Sequence, residues 1–376
     1  MKLLHVADLH LGIQVFGFSM VEEQAFILKQ ILETAREETV DAILVCGDVY
    51  DRSLPGVEAV NLRDHFLAEA PCPVLMISGN HDSPERVGYG ASLFQKQGIH
   101  VQGRPRKPLP YVVLHDAEGP VEFYLLPFVR PEMLRGAEGF EGRTHQDAVK
   151  WMLSEMPVPN GARRVLLAHQ NVVAGDEVRS AEEGANVGGL DAVGASVFDG
   201  FDYVALGHIH ERYRVDQDPD RAVIWYAGSP LPYEFGRPSE RGGLLVELGA
   251  GGHVEVRPVN FKGIHEWRQI RGPLEALISP EITSQADTED YISAILTDEE
   301  VYEARERLVS VYPNLMQIGF DNLRTQQAEG AAGLTELPSM DSLDVLFAQF
   351  YEKQNGVSLE EEDLALIRQI LEAVES

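Results

Sequence analysis

The sequence predicts an α/β architecture. Three observations carry the prediction. Apolar runs of strand length recur between residues 2 and 259, amphipathic helix patterns separate the first of them, and many of the runs end in Gly, Asp, Asn or His. Strands alternating with helices give βαβ units and a sheet covered on both faces. In open α/β architectures the carboxyl ends of such strands share one rim, where ligands bind.

Residues 2–7 read as a buried strand that ends at Asp8. Ile27, Leu28, Ile31, Leu32 and Ala35 form an i, i+3/i+4 stripe, so 21–37 is an amphipathic helix. A second strand, 41–46, ends in Gly47-Asp48, and a helix over 56–69 follows. A third strand, 73–78, ends in Gly79-Asn80-His81-Asp82. The middle is richer in strands, at 111–115, 121–127 and 164–168, the last ending at His169. Residues 203–206 end at Gly207-His208, and 223–226, 243–248 and 254–259 continue the series.

The character changes near residue 260. Residues 264–320 read as a small α/β unit: strands near 265–270, 290–297 and 315–320, with a helix near 299–310. Residues 325–341 read as a linker. Two amphipathic helices follow, 342–353 striped by Leu343, Leu346, Phe347 and Phe350, and 358–375 striped by Leu364, Ile367, Ile370 and Leu371. Asn355-Gly356 turns between them, and Ser358 with Glu361 forms a capping box. The division expected is 1–260, 261–324, 325–341 and 342–376.

A chain of 376 residues is too long for one ordinary domain and fits two, with room for a small third. Its two cysteines, Cys46 and Cys72, have no CxxC spacing, so neither a disulfide framework nor a structural zinc site is expected. The apolar N-terminal stretch is short and broken by Asp8 and His10, which is not the pattern of a signal peptide. No run of about 18 apolar residues occurs, so no membrane span and a cytoplasmic location are expected. The net charge of −29 argues against unassisted binding to a phosphate backbone. Bound cations would offset some of it, and ten Asp/Glu against Lys353 and Arg368 lie in 335–376, far along the chain from the motifs above. Basic clusters at Arg104/Arg106/Lys107, Arg163/Arg164 and Arg212/Arg214 read as solvated surface before they read as DNA contacts.

Five signals lie in order: Asp8-Leu9-His10, Gly47-Asp48-Val49-Tyr50-Asp51, Gly79-Asn80-His81-Asp82, His169, and Gly207-His208-Ile209-His210. Each is weak alone. Together, each at a strand end, they point to metal binding. Residues two apart in extended chain project to one side, so Asp8 with His10, and His208 with His210, converge. Imidazole and carboxylate suit Mn, Fe or Zn better than Mg or Ca. Two such cations about 3.5–4 Å apart clamp the attacking and leaving oxygens of a phosphoryl centre. Asp48 is the candidate for the bridging carboxylate. Asp82 reads as structural, and His5, His65, His100, His115, His145, His253 and His265 as surface or packing residues.

This pattern resembles the calcineurin-like metallophosphoesterases, whose signatures cover residues 3–210. The resemblance implies their four-layer β-sandwich flanked by helices. It also implies that Asp8, His10, Asp48 and His210 hold one metal, and Asp48, Asn80, His169 and His208 the other. His81 then matches the family's catalytic histidine, which assists the leaving oxygen while a water activated by the cations attacks. Asp51 either orients that imidazole or is a plain turn aspartate.

Three further stretches are similar to the SbcD nucleases: Gly47 to Pro55 with Gly79 to Arg86, Tyr226 to Gly236, and Val187-Gly188-Gly189. One departure is Arg237-Pro238, where that family often carries an acidic residue. The resemblance implies a small α/β capping domain and a C-terminal helical pair beyond the nuclease domain. It implies 3′→5′ exonuclease activity on duplex DNA and endonuclease activity on hairpins and single strands, usually with Mn2+. A homodimer and an SbcC ATPase partner come with it. The two C-terminal helices cannot bury their stripes alone, so residues 342–375 are expected to dock on that partner, or else on the catalytic domain. Two other readings stay open: the same chemistry on a nucleotide, phosphoprotein or small phosphodiester, and a non-catalytic scaffold.

Overall fold

Alternation within the strands decides the layering. Strand β1 spans Lys2–Val6, helix α1 Val21–Glu37, β2 Ala42–Cys46, α2 Val57–Ala68 and β3 Val74–Ile77. In β2, Ala42, Leu44 and Cys46 enter one apolar cluster, while Ile43 and Val45 enter another with the α1 stripe. All five are fully buried, which is the signature of a strand covered on both faces. The computed structural model describes residues 1–157, 161–174, 191–218, 221–235, 240–299, 301–321 and 347.

The chain continues with β4 (Ile99–Gln102), β5 (Tyr111–Asp116), β6 (Gly119–Leu126), α3 (His145–Leu153) and β7 (Arg163–His169). Then come β8 (Tyr203–Gly207), β9 (Tyr213–Arg214), β10 (Val223–Tyr226), β11 (Gly242–Leu248) and β12 (Val254–Asn260). One sheet runs β12-β11-β1-β2-β3-β4, and β1 to β4 are parallel. The other runs β9-β10-β8-β7-β6-β5, with β10, β8, β7 and β6 parallel.

The inner faces of the two sheets meet. Leu44, Leu75 and Ile77 from the first pack with Phe123, Val165, Leu167 and Ala205 from the second. The outer face of the second sheet packs Leu166, Ala168 and Val204 against Ala148, Val149 and Met152 of α3. Helix, sheet, sheet and helix are therefore stacked, the four-layer arrangement that the resemblance implies. Period alone gave a covered sheet. What covers the inner face is a second sheet rather than helices.

His5 spans the seam between the sheets. Its Nδ1 is 2.9 Å from the Tyr203 hydroxyl and its Nε2 3.1 Å from the Leu206 carbonyl, and burial pushes its pKa down to about 3. It packs as a neutral ring.

The described chain divides into two compact units at Glu266/Trp267. In the second, β13 (Trp267–Gly272), β14 (Tyr291–Leu296) and β15 (Leu315–Phe320) form an all-parallel three-stranded sheet, with a helix at Ala304–Val309. That helix starts later than the sequence pattern proposes, because Glu303 takes a left-handed φ of 52°. The linker 325–341, the helices 342–353 and 358–375, the Val187 to Gly189 stretch and residues 236–239 lie outside the described residues, apart from Phe347. No described helix is long and apolar enough to cross a membrane.

Candidate metal centre

Five parallel strands end at one place. Asp8 lies two residues past β1, Asp48 two past β2 and Asn80 three past β3, while His169 closes β7 and His208 directly follows β8. Backbone geometry holds the donors there. Asp8, His10, Asp48 and His208 all have positive φ, at 52°, 42°, 44° and 101°. Such conformations cost side-chain-bearing residues about 1–3 kcal/mol each and cluster at functional sites. Gly47 and Gly79 give the clearance. A Cβ at Gly47 would overlap the His169 ring, and one at Gly79 the Asp48 carboxylate.

The donors converge in overlapping sets. Asp8, His10 and His210 offer atoms within 4.8 Å of one another, as do Asp8, Asp48 and His169, and His10, Asp48 and His81. His10 Nε2 is 3.1 Å from His210 Nε2. Asn80 Oδ1 is 3.0 Å from His169 Nε2 and 2.9 Å from His208 Nδ1. Asp48 Oδ2 stands between the groups, 3.6 Å from His10 Nε2 and 3.4 Å from His169 Nε2. Two donors bound at about 2.0–2.1 Å to one cation sit roughly 3 Å apart on adjacent vertices, so these spacings fit metal coordination.

The electrostatics fit it too. Burial pushes Asp8 up to about 7 and His10 down to about 3. Burial and the neighbouring His169 lower His208 to about 4. His169 is the exception: burial would lower it, but the Asp48 carboxylate outweighs burial and raises it to about 9. Burial also works against ionised Asp48, yet His169, His10 and the His81 N–H hold it well below the usual carboxylate range. Neutral imidazoles keep a lone pair free, and a pocket carrying acidic oxygens welcomes a dication.

The structure thus brings Asp8, His10, Asp48, Asn80, His169, His208 and His210 together, with His81 beside them. The His81 N–H donates to Asp48 Oδ1 at 2.9 Å, and its ring lies 4.9 Å from that of His10. At Asp51 the group that meets the His81 ring is the backbone carbonyl, 3.0 Å from Nδ1. The carboxylate turns instead to Arg52 Nε at 3.2 Å, and its other oxygen is 4.0 Å from His10 Nδ1, a buried atom with no hydrogen bond. Asp82 is a structural clamp, accepting from the N–H groups of Val49, Tyr50 and Gly79.

Several supporting residues escaped sequence reasoning. Gln24 donates to the Leu9 and His10 carbonyls and accepts from Gly12 N–H. Its signal was a polar side chain on the apolar stripe of α1. Tyr233 hydrogen-bonds the Leu9 carbonyl and sets its ring edge-on to His10 and His210. Arg241 donates to the His210 carbonyl at 2.6 Å, and the Phe128 ring lies against those of His169 and His208. Tyr233 lies in the Tyr226 to Gly236 stretch, which carried no role for it, and nothing local in the sequence marks Arg241 or Phe128.

Five members of the basic clusters face acidic partners. Arg163 pairs with Asp116 and Arg164 with Glu122, all four in or near the buried interior. Arg104 pairs with Glu85, Lys107 with Glu155, and Arg212 with Glu240. The solvated reading is corrected for Arg163 and Arg164, which are 6% and 4% exposed.

Comparison with known proteins places this geometry. The SbcD_C family, described as the Type 5 capsule protein repressor C-terminal domain, matches residues 263–355. A dimetal phosphatase from Danio rerio is similar over 65% of this chain and 92% of its own, at 13% identity and a TM-score of 0.40. Zinc-bound Vps29 from Entamoeba histolytica matches over 70% and 100%, at 12% and 0.30. The phosphoesterase Yfce from E. coli matches over 66% and 88%, at 13% and 0.25. The Calcineurin-like phosphoesterase family matches residues 1–212, more than half of the chain and the whole stretch that carries the converging donors, and to that family this protein belongs.

Proposed function

We propose that this chain is an SbcD-type nuclease subunit, hydrolysing DNA phosphodiesters at a two-cation centre. The observation that carries the reading is the single Asp48 oxygen standing between two imidazole-rich donor sets. Asp8, His10, Asp48 and His210 would hold one divalent cation, and Asp48, Asn80, His169 and His208 the other, with Mn2+ the metal that the SbcD resemblance implies. When bound, the cations polarise the phosphoryl oxygens and supply an activated water. The protein's own contribution is orientation and a proton. A backbone carbonyl only accepts, so the Asp51 carbonyl fixes the hydrogen of His81 on Nδ1. Nε2 is then the nitrogen that exchanges a proton: the imidazolium form, with hydrogen on both nitrogens, would give its Nε2 proton to the leaving oxygen and remain as the neutral ring with its hydrogen on Nδ1.

The DNA substrate is supported by the SbcD-like stretches and by the match over 263–355. The test is Mn2+-dependent release of nucleotides from labelled duplex DNA. Turnover of small esters without DNA cleavage would favour a nucleotide, phosphoprotein or small phosphodiester as substrate. Absence of any turnover would leave a scaffold.

Grip on DNA falls to partners in this reading, because much of the clustered basic charge is already paired with acids. A second copy is the first partner. Leu54 just before α2, Val57 and Val60 at its start, and Tyr89 and Leu93 beyond β3 are exposed, and the Arg63 side chain donates to the Val87 carbonyl to tie these segments together. Val57→Asp is expected to turn a dimer into a monomer in sedimentation, and a wild-type monomer would end the claim. An SbcC-type ATPase is the second partner, docked by residues 342–375. Deleting 341–376 should abolish that association, and unchanged affinity refutes it.

A further inference from the structure

A cleft of about 640 Å³ opens directly beside the metal centre, with Asn80 and His208 at its inner end. Phe128, Arg130 and Met133 from the segment after β6, His145 at the first turn of α3, and Asn171 just beyond β7 line the rest. We propose that this cleft seats one nucleotide of the strand being cut, with the scissile phosphate at the metal centre and the next phosphate at Arg130. The assignment rests on the phosphodiesterase reading above and names what that site selects.

Size is the first argument. Pockets that enclose small organic ligands run to about 300–1,000 Å³, so this cleft suits a nucleotide and is generous for a bare phosphodiester. Lining chemistry is the second. Met133 is 42% exposed and offers apolar surface to a nucleoside. The Phe128 ring lies near-parallel to His208, centroids 6.4 Å apart at 27°, and edge-on to His145 at 5.8 Å. This makes an aromatic floor continuous with the metal donors, the kind of surface on which bases stack. The Asn171 amide offers both a donor and an acceptor to a base or sugar.

Charge is the third argument. The Arg130 guanidinium is mostly exposed, and its ion-pair partner Glu132 stands 3.8 Å away, beyond hydrogen-bond range. Its forked donors remain able to clasp a phosphate. His145 Nε2 is 3.5 Å from Asp191 Oδ1. Each basic group in the cleft thus faces one acid, so the cleft holds no surplus positive charge to trap a polyanion. Selection must come from shape and from two anchored phosphates. A phosphoprotein substrate has no second phosphate to place at Arg130.

Calorimetric titration of the full-length, Mn2+-loaded protein tests this with three probes: deoxyadenosine 3′,5′-bisphosphate, dAMP and inorganic phosphate. Arg130→Gln is expected to weaken the bisphosphate about ten-fold, and inorganic phosphate by under about two-fold. Met133→Asp should weaken both nucleotides relative to inorganic phosphate. Both side chains are exposed, so neither variant threatens folding. Equal losses across all three probes, or no loss on any, overturn the assignment. Wild-type turnover of bis(p-nitrophenyl) phosphate is read alongside. Its absence would remove the phosphodiesterase reading, while the binding ratios would still judge the cleft.

Discussion

Asp48→Ala is expected to leave the protein without either cation and to reduce phosphodiester hydrolysis by at least about 10³-fold. Asp48 is the one donor that the proposal gives to both cations. Its Oδ2 lies 3.6 Å from His10 Nε2 and 3.4 Å from His169 Nε2, so losing it opens both donor sets at once. Its Oδ1 also receives the His81 N–H at 2.9 Å, so the catalytic loop loses an anchor. Two measurements read the outcome without any substrate. Metal analysis after dialysis should fall from two ions to none. Mn2+ at about 100 times its Kd should add about 2.7 kcal/mol per bound ion to the unfolding free energy of wild type and nothing to that of the variant. Retention of two ions by Asp48→Ala would show that another group bridges them.

His81→Ala is expected to keep both cations and lose about 10²–10⁴ in rate, the usual worth of a positioned general acid. The ring sits within reach of the donor sets, and His10, Asp48 and His81 offer atoms within 4.8 Å, so metal content decides its role. An ion lost with His81 would make it a ligand instead. Asp51→Ala provides the comparison. The ring contact is to the Asp51 carbonyl, which alanine retains, so this variant should lose only about ten-fold. A loss matching His81→Ala would mean that the carboxylate swings to the ring in the working enzyme.

The donor residues were legible because each sits at the end of an apolar run, where a polar side chain has no packing purpose. Gly47 and Gly79 were legible for the same reason. The layering was not. Cys46 and Val45 look alike in a hydrophobic run, and only the fold shows that one faces a second sheet and the other α1. Short β4 and α3 were missed, although Thr144 and Asp147 form a capping box readable as a helix start. The contacts of Tyr233, Arg241 and Phe128 were invisible because their partners lie more than 20 residues away in sequence. The carbonyl contact at Asp51 was not legible, because sequence distinguishes side chains and says nothing of which backbone carbonyl turns inward.

The donors divide unequally between the sheets: Asp8, His10, Asp48 and Asn80 follow strands of the first, while His169, His208 and His210 belong to the second. Bound cations would therefore staple two half-sandwiches at one end, adding to the side-chain packing and the hydrogen bonds of His5 and Arg163 that already cross the seam. Binding energy spent there is also cohesion between halves. A chelator would act on the whole body of the first unit, quickening amide exchange at the ends of β2, β7 and β8 first and leaving the outer helices to unfasten last.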